Sequence, residues 1–111
     1  MRVREIKIVP MISIEMRNDK SLDATHRDLV VDAFLDDPIF NKNRKTMRAA
    51  TRIEEAFDRA NGSAILTEED WMMLRDVAEE PAQGYAWKPH VMRALAPMID
   101  AIIDAEEIDK D

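Results

Sequence analysis

The hydrophobic period changes near residue 18, and that change restricts the fold more than any other feature. Before it, Ile6, Ile8, Ile12, Ile14 and Met16 alternate with Glu5, Lys7, Ser13 and Glu15. Beyond it, apolar side chains recur every third or fourth residue. Alternation rich in β-branched residues is the pattern of a half-buried strand, whereas the longer period marks amphipathic helices. The expected fold is α+β and predominantly helical, with an N-terminal edge strand or hairpin followed by four helices.

Pro10 interrupts the alternation. It has no N–H for a ladder, so the segment 1–17 is expected at a sheet edge, with a bulge at the proline, or as two strands hinged there. Val9 and Met11 break the polar face beside it, which marks them as candidates for contact with a partner.

Helices are expected over 21–36, 42–60, 68–79 and 89–105. The first is capped by Ser21 or Asp23 and carries Leu22, Leu29, Val30, Ala33 and Phe34 on one side, with His26 among them. It stops before Pro38, because a residue preceding proline avoids the helical region. The second buries Met47, Ala50, Ile53, Phe57 and Ala60 and ends at Asn61-Gly62, a left-handed cap. Ala64-Ile65-Leu66 is too short for a helix and suits a brief strand pairing with the N-terminal one. Thr67-Glu68-Glu69-Asp70 has the form of a capping box opening the third helix, which buries Trp71, Leu74, Val77 and Ala78. The last begins at Pro89 and is kinked by Pro97. It carries two adjacent apolar rows: Val91, Leu95, Met98 and Ile102, and beside them Met92, Ala96, Ile99 and Ile103. A face that wide exceeds one core contact, so Met92, Ile99 and Ile103 join the interface candidates. The acidic tail 106–111 is expected to fray.

Composition then removes whole classes of chemistry. A length of 111 residues suits one domain. The absence of cysteine excludes disulfides, thiolate nucleophiles and cysteine-ligated zinc. Two histidines, His26 and His90, do not make a histidine metal site, and two glycines are too few for a phosphate loop. No catalytic, cofactor-binding or metal-ligating set emerges, and the expectation is a non-enzyme without cofactors. Arg2, Arg4, Glu5 and Lys7 interrupt the start, so it is no signal peptide, and no apolar run approaches a membrane span.

A net charge of -7 repels nucleic acid and anionic membranes at long range, which makes another protein the default partner. The exception is local: Lys42, Arg44, Lys45, Arg48 and Arg52 crowd one stretch. Arg44, Arg48 and Arg52 share a helix face and are the candidate anion or nucleic-acid contacts. Tyr85 and Trp87, beside Lys88 and His90, either staple the entrance of the last helix or are presented to a protein.

Four stretches resemble a group of small, mostly uncharacterised proteins of tailed bacteriophages and prophages. They are L-D-x-T-x-x-D-L-x-x-x-A over Leu22 to Ala33, M-R-x-x-x-R-I-x-x-A over Met47 to Ala56, G-x-x-x-L-x-x-x-D-W-x-x-L over Gly62 to Leu74, and the proline-led helix from Pro89 to Ile102. The matching positions are structural, and no functional residue is carried over. The resemblance implies a phage protein of virion morphogenesis, in tail or head-tail assembly, or a small regulator or inhibitor of a host system. Its place would be the bacterial host cytoplasm or the virion. Its partner would be itself or another phage or host protein, binding through the last helix and the edge strand.

Overall fold

The computed structural model describes residues 1–16, 20–80 and 89–109. The order of elements is β1 (Arg2–Lys7), β2 (Ile12–Glu15), β3 (Ser21–Ala24), α1 (His26–Asp28) running into a π-helical segment (Leu29–Phe34), a 3-10 turn (Pro38–Asn41), α2 (Arg44–Asp58), β4 (Ser63–Thr67), α3 (Glu68–Glu79), α4 (Pro89–Ala94), α5 (Ala96–Ile103) and β5 (Glu106–Asp109). Among the described residues, five strands in two small sheets make this an α+β mixture, with more strand than one N-terminal element beside four helices would give.

The N-terminal alternation yields two strands in separate sheets. β1 is the centre of an antiparallel sheet ordered β4-β1-β5, so the expected edge strand is an interior one. Ile6 lies opposite Ala64, and Val3 opposite both Thr67 and Ile108. Pro10 obstructs nothing, because it lies in the connection between β1 and β2. β2 instead forms a hairpin with β3, pairing Ile12 with Ala24 and Ile14 with Leu22. The Met16 N–H donates to the Lys20 carbonyl at 2.7 Å. Residues Ser21 to Ala24 are therefore strand, not the first turn of a helix.

The helix that follows starts where Thr25 Oγ1 accepts the Asp28 N–H at 3.1 Å. It widens at once: the Leu35 N–H reaches back five residues to the Val30 carbonyl at 2.8 Å. This π turn places the consecutive pairs Leu29-Val30 and Ala33-Phe34 in the core. α2 begins two residues after the expected start at 42, behind a capping box. Asn43 Oδ1 accepts the Thr46 N–H at 3.0 Å and Thr46 Oγ1 accepts the Asn43 N–H at 3.1 Å. Its buried residues are Ala49, Ile53 and Phe57, while Met47 faces water, which corrects the expected stripe. Gly62 takes the left-handed conformation expected of it, at φ 87°.

The helix expected over 89–105 is two helices. Leu95 leaves the helical region and Pro97 opens α5, where its missing N–H costs nothing. The chain then turns at Asp104 into β5, so 106–109 pairs with β1 where fraying was expected; residues 110–111 lie outside those described. Ile6, Leu29, Val30, Phe34, Phe40, Ile53, Leu74, Leu95, Met98 and Ile102 are fully buried and form one core.

Candidate interaction surface

Most of the titratable side chains that look chemical in the sequence are engaged in holding the fold. His26 is buried. Its Nδ1 accepts the Val9 N–H at 3.1 Å, which puts the proton on Nε2, and that nitrogen donates to the Met98 carbonyl at 3.0 Å. The ring meets Phe57 edge-on with centroids 5.4 Å apart. Burial lowers the imidazole pKa to about 4, partly opposed by the bond to Met98. A neutral ring with both nitrogens occupied joins three segments and has no lone pair left for a substrate proton.

Arg4 has a similar role on the sheet. Its guanidinium lies 3.9 Å from the centroid of Trp71 and grips Glu68 with two bonds of 2.8 and 3.0 Å. It also donates to the Ala105 carbonyl at 3.0 Å and to Glu107 at 3.2 Å. The hydrogen bond from Arg4 holds the Glu68 carboxyl below its ordinary range. Trp71 completes the cluster by donating Nε1–H to the Ile102 carbonyl at 2.8 Å.

The basic face of α2 is smaller than its spacing implies. Arg52 forms a two-pronged pair with the buried Asp70, at 2.8 and 2.9 Å, bracing α2 against α3. The capping box at Thr67 is thus half formed: Thr67 Oγ1 accepts the Asp70 N–H at 3.2 Å, but the Asp70 carboxylate turns to Arg52 rather than back to the cap. Arg44 and Arg48 stay exposed beside Lys42 and Lys45, and Lys45 reaches Glu69 at 3.4 Å.

No family model, curated protein or solved structure matches the chain.

The predicted interface residues fall into three groups. Met92, Ile99 and Ile103 are half-buried and pack against the core, because the break at Leu95 wraps the two rows of the last segment around it. Val9 is half-buried and tied to His26, while Met11 is 60% exposed. Tyr85 and Trp87 lie outside the described residues, as does the whole segment from Pro81 to Lys88.

Besides Met1 and Ile39, two exposed apolar residues on the longer helices were not among the predicted interface set. Met47 on α2 is 46% exposed and Met72 on α3 is 44% exposed. Both stand on the outer half of their helices, Met72 between Glu69 and Asp76, which are also exposed. The signal was present in the spacing: Met72 is one residue past Trp71 and two before Leu74, off the buried stripe. Among the described residues, no three His, Asp or Glu are placed to share a metal, and no helix is long and apolar enough to cross a membrane.

Proposed function

We propose that this is a non-enzymatic protein-interaction protein, encoded by a tailed phage or prophage, that acts in virion assembly at the tail or head-tail junction or as a structural component. The observation that carries the reading is the contrast between interior and surface. His26, Arg4, Glu68, Arg52 and Asp70 are bound to neighbouring elements of the fold, whereas Met11, Met47 and Met72 are left in water. Methionine is a flexible, polarizable contact residue suited to protein surfaces. The resemblance to phage proteins supplies the setting, and the net charge of -7 favours a protein partner over nucleic acid.

Purified virions and assembly intermediates from a producing lysogen test this. Quantitative mass spectrometry should find the chain at a fixed stoichiometry in one of them. Its absence from every particle fraction would count against an assembly role.

A second reading has one specific observation in its favour. Lys42, Arg44, Lys45 and Arg48 are all exposed at the start of α2, as in a small regulator that holds nucleic acid or an acidic host protein. Salt-sensitive binding to duplex DNA that Arg48→Glu abolishes would favour it.

A further inference from the structure

We infer that the connector between β1 and β2 is an acid-operated latch: a proton taken up by the buried His26 ring breaks its bond to Val9 and lets Val9, Pro10 and Met11 lift away, while the strands on either side stay paired. The inference goes beyond the protein-interaction reading and does not depend on it. The three residues lie between two fixed points. On one side the Ile8 N–H donates to the Gly62 carbonyl at 3.0 Å, and on the other β2 begins at Ile12 and pairs with β3. Among the described residues, the connector is hydrogen-bonded to the rest of the molecule through the Val9 N–H alone, which donates to His26 Nδ1 at 3.1 Å. Pro10 has no N–H to add a second bond, and Met11 is 60% exposed.

The two ring nitrogens have unequal roles. A backbone N–H only donates, so Nδ1 must give its lone pair to Val9; a carbonyl only accepts, so Nε2 must carry the proton that bonds Met98 at 3.0 Å. A second proton can enter only at Nδ1. There it meets the Val9 N–H donor against donor, and an attraction becomes a repulsion. The bond to Met98 keeps its donor and gains charge, so it strengthens. The ring therefore stays with α5 and sheds the connector. No neighbouring charge offsets this. Arg27, on the ring's own helix, is bound to Glu54 and Asp58 of α2 and lies 3.8 Å from Asp28. Lys7 of β1, Asp23 of β3 and Asp100 of α5 are exposed, and α2 meets the ring with the edge of Phe57. Burial lowers the imidazole pKa to about 4 against the bond to Met98, and no charged side chain contributes.

Linkage sets the size of the response. With the connector lifted, Nδ1 faces water and the ring returns to its ordinary value of 6.5. Above that pH the ring is neutral in both forms and acidity has no effect. As pH falls from 6.5 to about 4, the lifted form gains on the closed one by tenfold per unit, about 300-fold in all. Lifting also frees Val9, which is half-buried against the core, to stand in water beside Met11.

Native-state hydrogen exchange read by NMR on the full chain is the test, with rates corrected for the pH dependence of an unstructured amide. The Val9 amide should exchange through a local opening that urea up to about 1 M hardly changes, and its protection should fall about tenfold per unit from pH 6.5 to about 4.5. Ile6, paired opposite Ala64, and Met98, whose N–H donates to the Leu95 carbonyl at 2.9 Å, should exchange more slowly and through openings that urea promotes. His26→Gln can still accept from Val9 and donate to Met98 but takes up no proton, so its Val9 protection should not vary with pH. The ring nitrogen resonances of the wild type give the same answer without a variant: protonation of Nδ1 should accompany loss of Val9 protection. The inference is overturned if Val9 exchanges with the free energy and urea response of Ile6 and Met98, if its protection is the same at both ends of the range, or if Nδ1 gains its proton while Val9 stays protected.

Discussion

At the scale of single residues, the strongest constraints come from polar side chains buried in the fold. His26 is neutral when folded, with its pKa lowered from 6.5 to about 4 by burial. Below pH 6.5 the unfolded chain binds a proton that the folded chain refuses, so stability falls as pH drops from 6.5 to about 4 and is unaffected by this group above that window. The total is about 3 kcal/mol, at 1.36 kcal/mol per unit. Urea unfolding across that range should show a slope that His26→Gln reduces; an identical slope in the variant would exclude the assignment. His26→Ala at pH 7 should cost about 2 to 4 kcal/mol, because it opens a cavity and leaves the Val9 N–H and the Met98 carbonyl unpaired. Arg52 and Arg48 separate structure from surface in the same way. Arg52→Ala strands the buried Asp70 carboxylate and should cost about 2 kcal/mol, whereas Arg48→Ala should stay within about 0.5 kcal/mol.

At the scale of elements, local signals and distant ones had different visibility. The range 68–79 of α3 is legible because Thr67 caps it and three acids follow within the first turn. Gly62 is equally legible: its φ of 87° is one that side chains rarely adopt, so Gly62→Ala should cost about 1 kcal/mol by thermal melting even though nothing crowds the new methyl. β3 and β5 are not legible. Ser-Leu-Asp-Ala looks like a cap and a first turn, and it becomes strand only because Ile12 and Ile14 lie opposite. Glu-Glu-Ile-Asp has a single apolar residue and poor strand propensity. It pairs because Arg2 and Arg4 offer cations to Glu107 at 3.0 and 3.2 Å and because Val3 faces Ile108. The three-residue spacing of Met47, Ala50 and Ile53 points Met47 to the core, yet it faces water. Ile53 and Phe57 are buried as expected and Ala50 and Ala60 pack at the edge of the core, but Ala49 takes the inward place in the first turn, and only packing against neighbouring elements selects it. Truncation after Ala105 should therefore lower the melting temperature. Hydrogen exchange should locate the loss at Val3 and Glu5, whose backbone groups point to β5 since those of Ile8 and the even positions point to β4.

At the scale of the whole molecule, charge decides behaviour before any site does. The chain reaches neutrality near pH 4.8, inside the window in which His26 begins to destabilise the fold. Lost repulsion and lost stability then coincide, so light scattering should rise steeply as pH falls from 6 towards 4.8, and about 1 M urea should advance the onset. A chain that stayed clear through that interval would contradict the coupling. The site was less legible than the fold. The sequence drew attention to the aromatic loop and the last helix, where residue types are distinctive. Exposed Met47 and Met72 stand instead on α2 and α3, where the residue types are ordinary and only packing decides which of them are covered.

The central position of β1 also bears on how the chain is made. Arg4 and its carbonyl partner Ala105 are 101 residues apart in sequence. The middle strand of the main sheet therefore leaves the ribosome well before β5 and stays open on that side until the residues between them have been synthesised. β4 can pair with one edge of β1 as soon as the segment through α3 has been made, while the other edge waits for β5. During that interval Val3 and one full edge of β1 are available to other chains, and a nascent chain is most open to mispairing there.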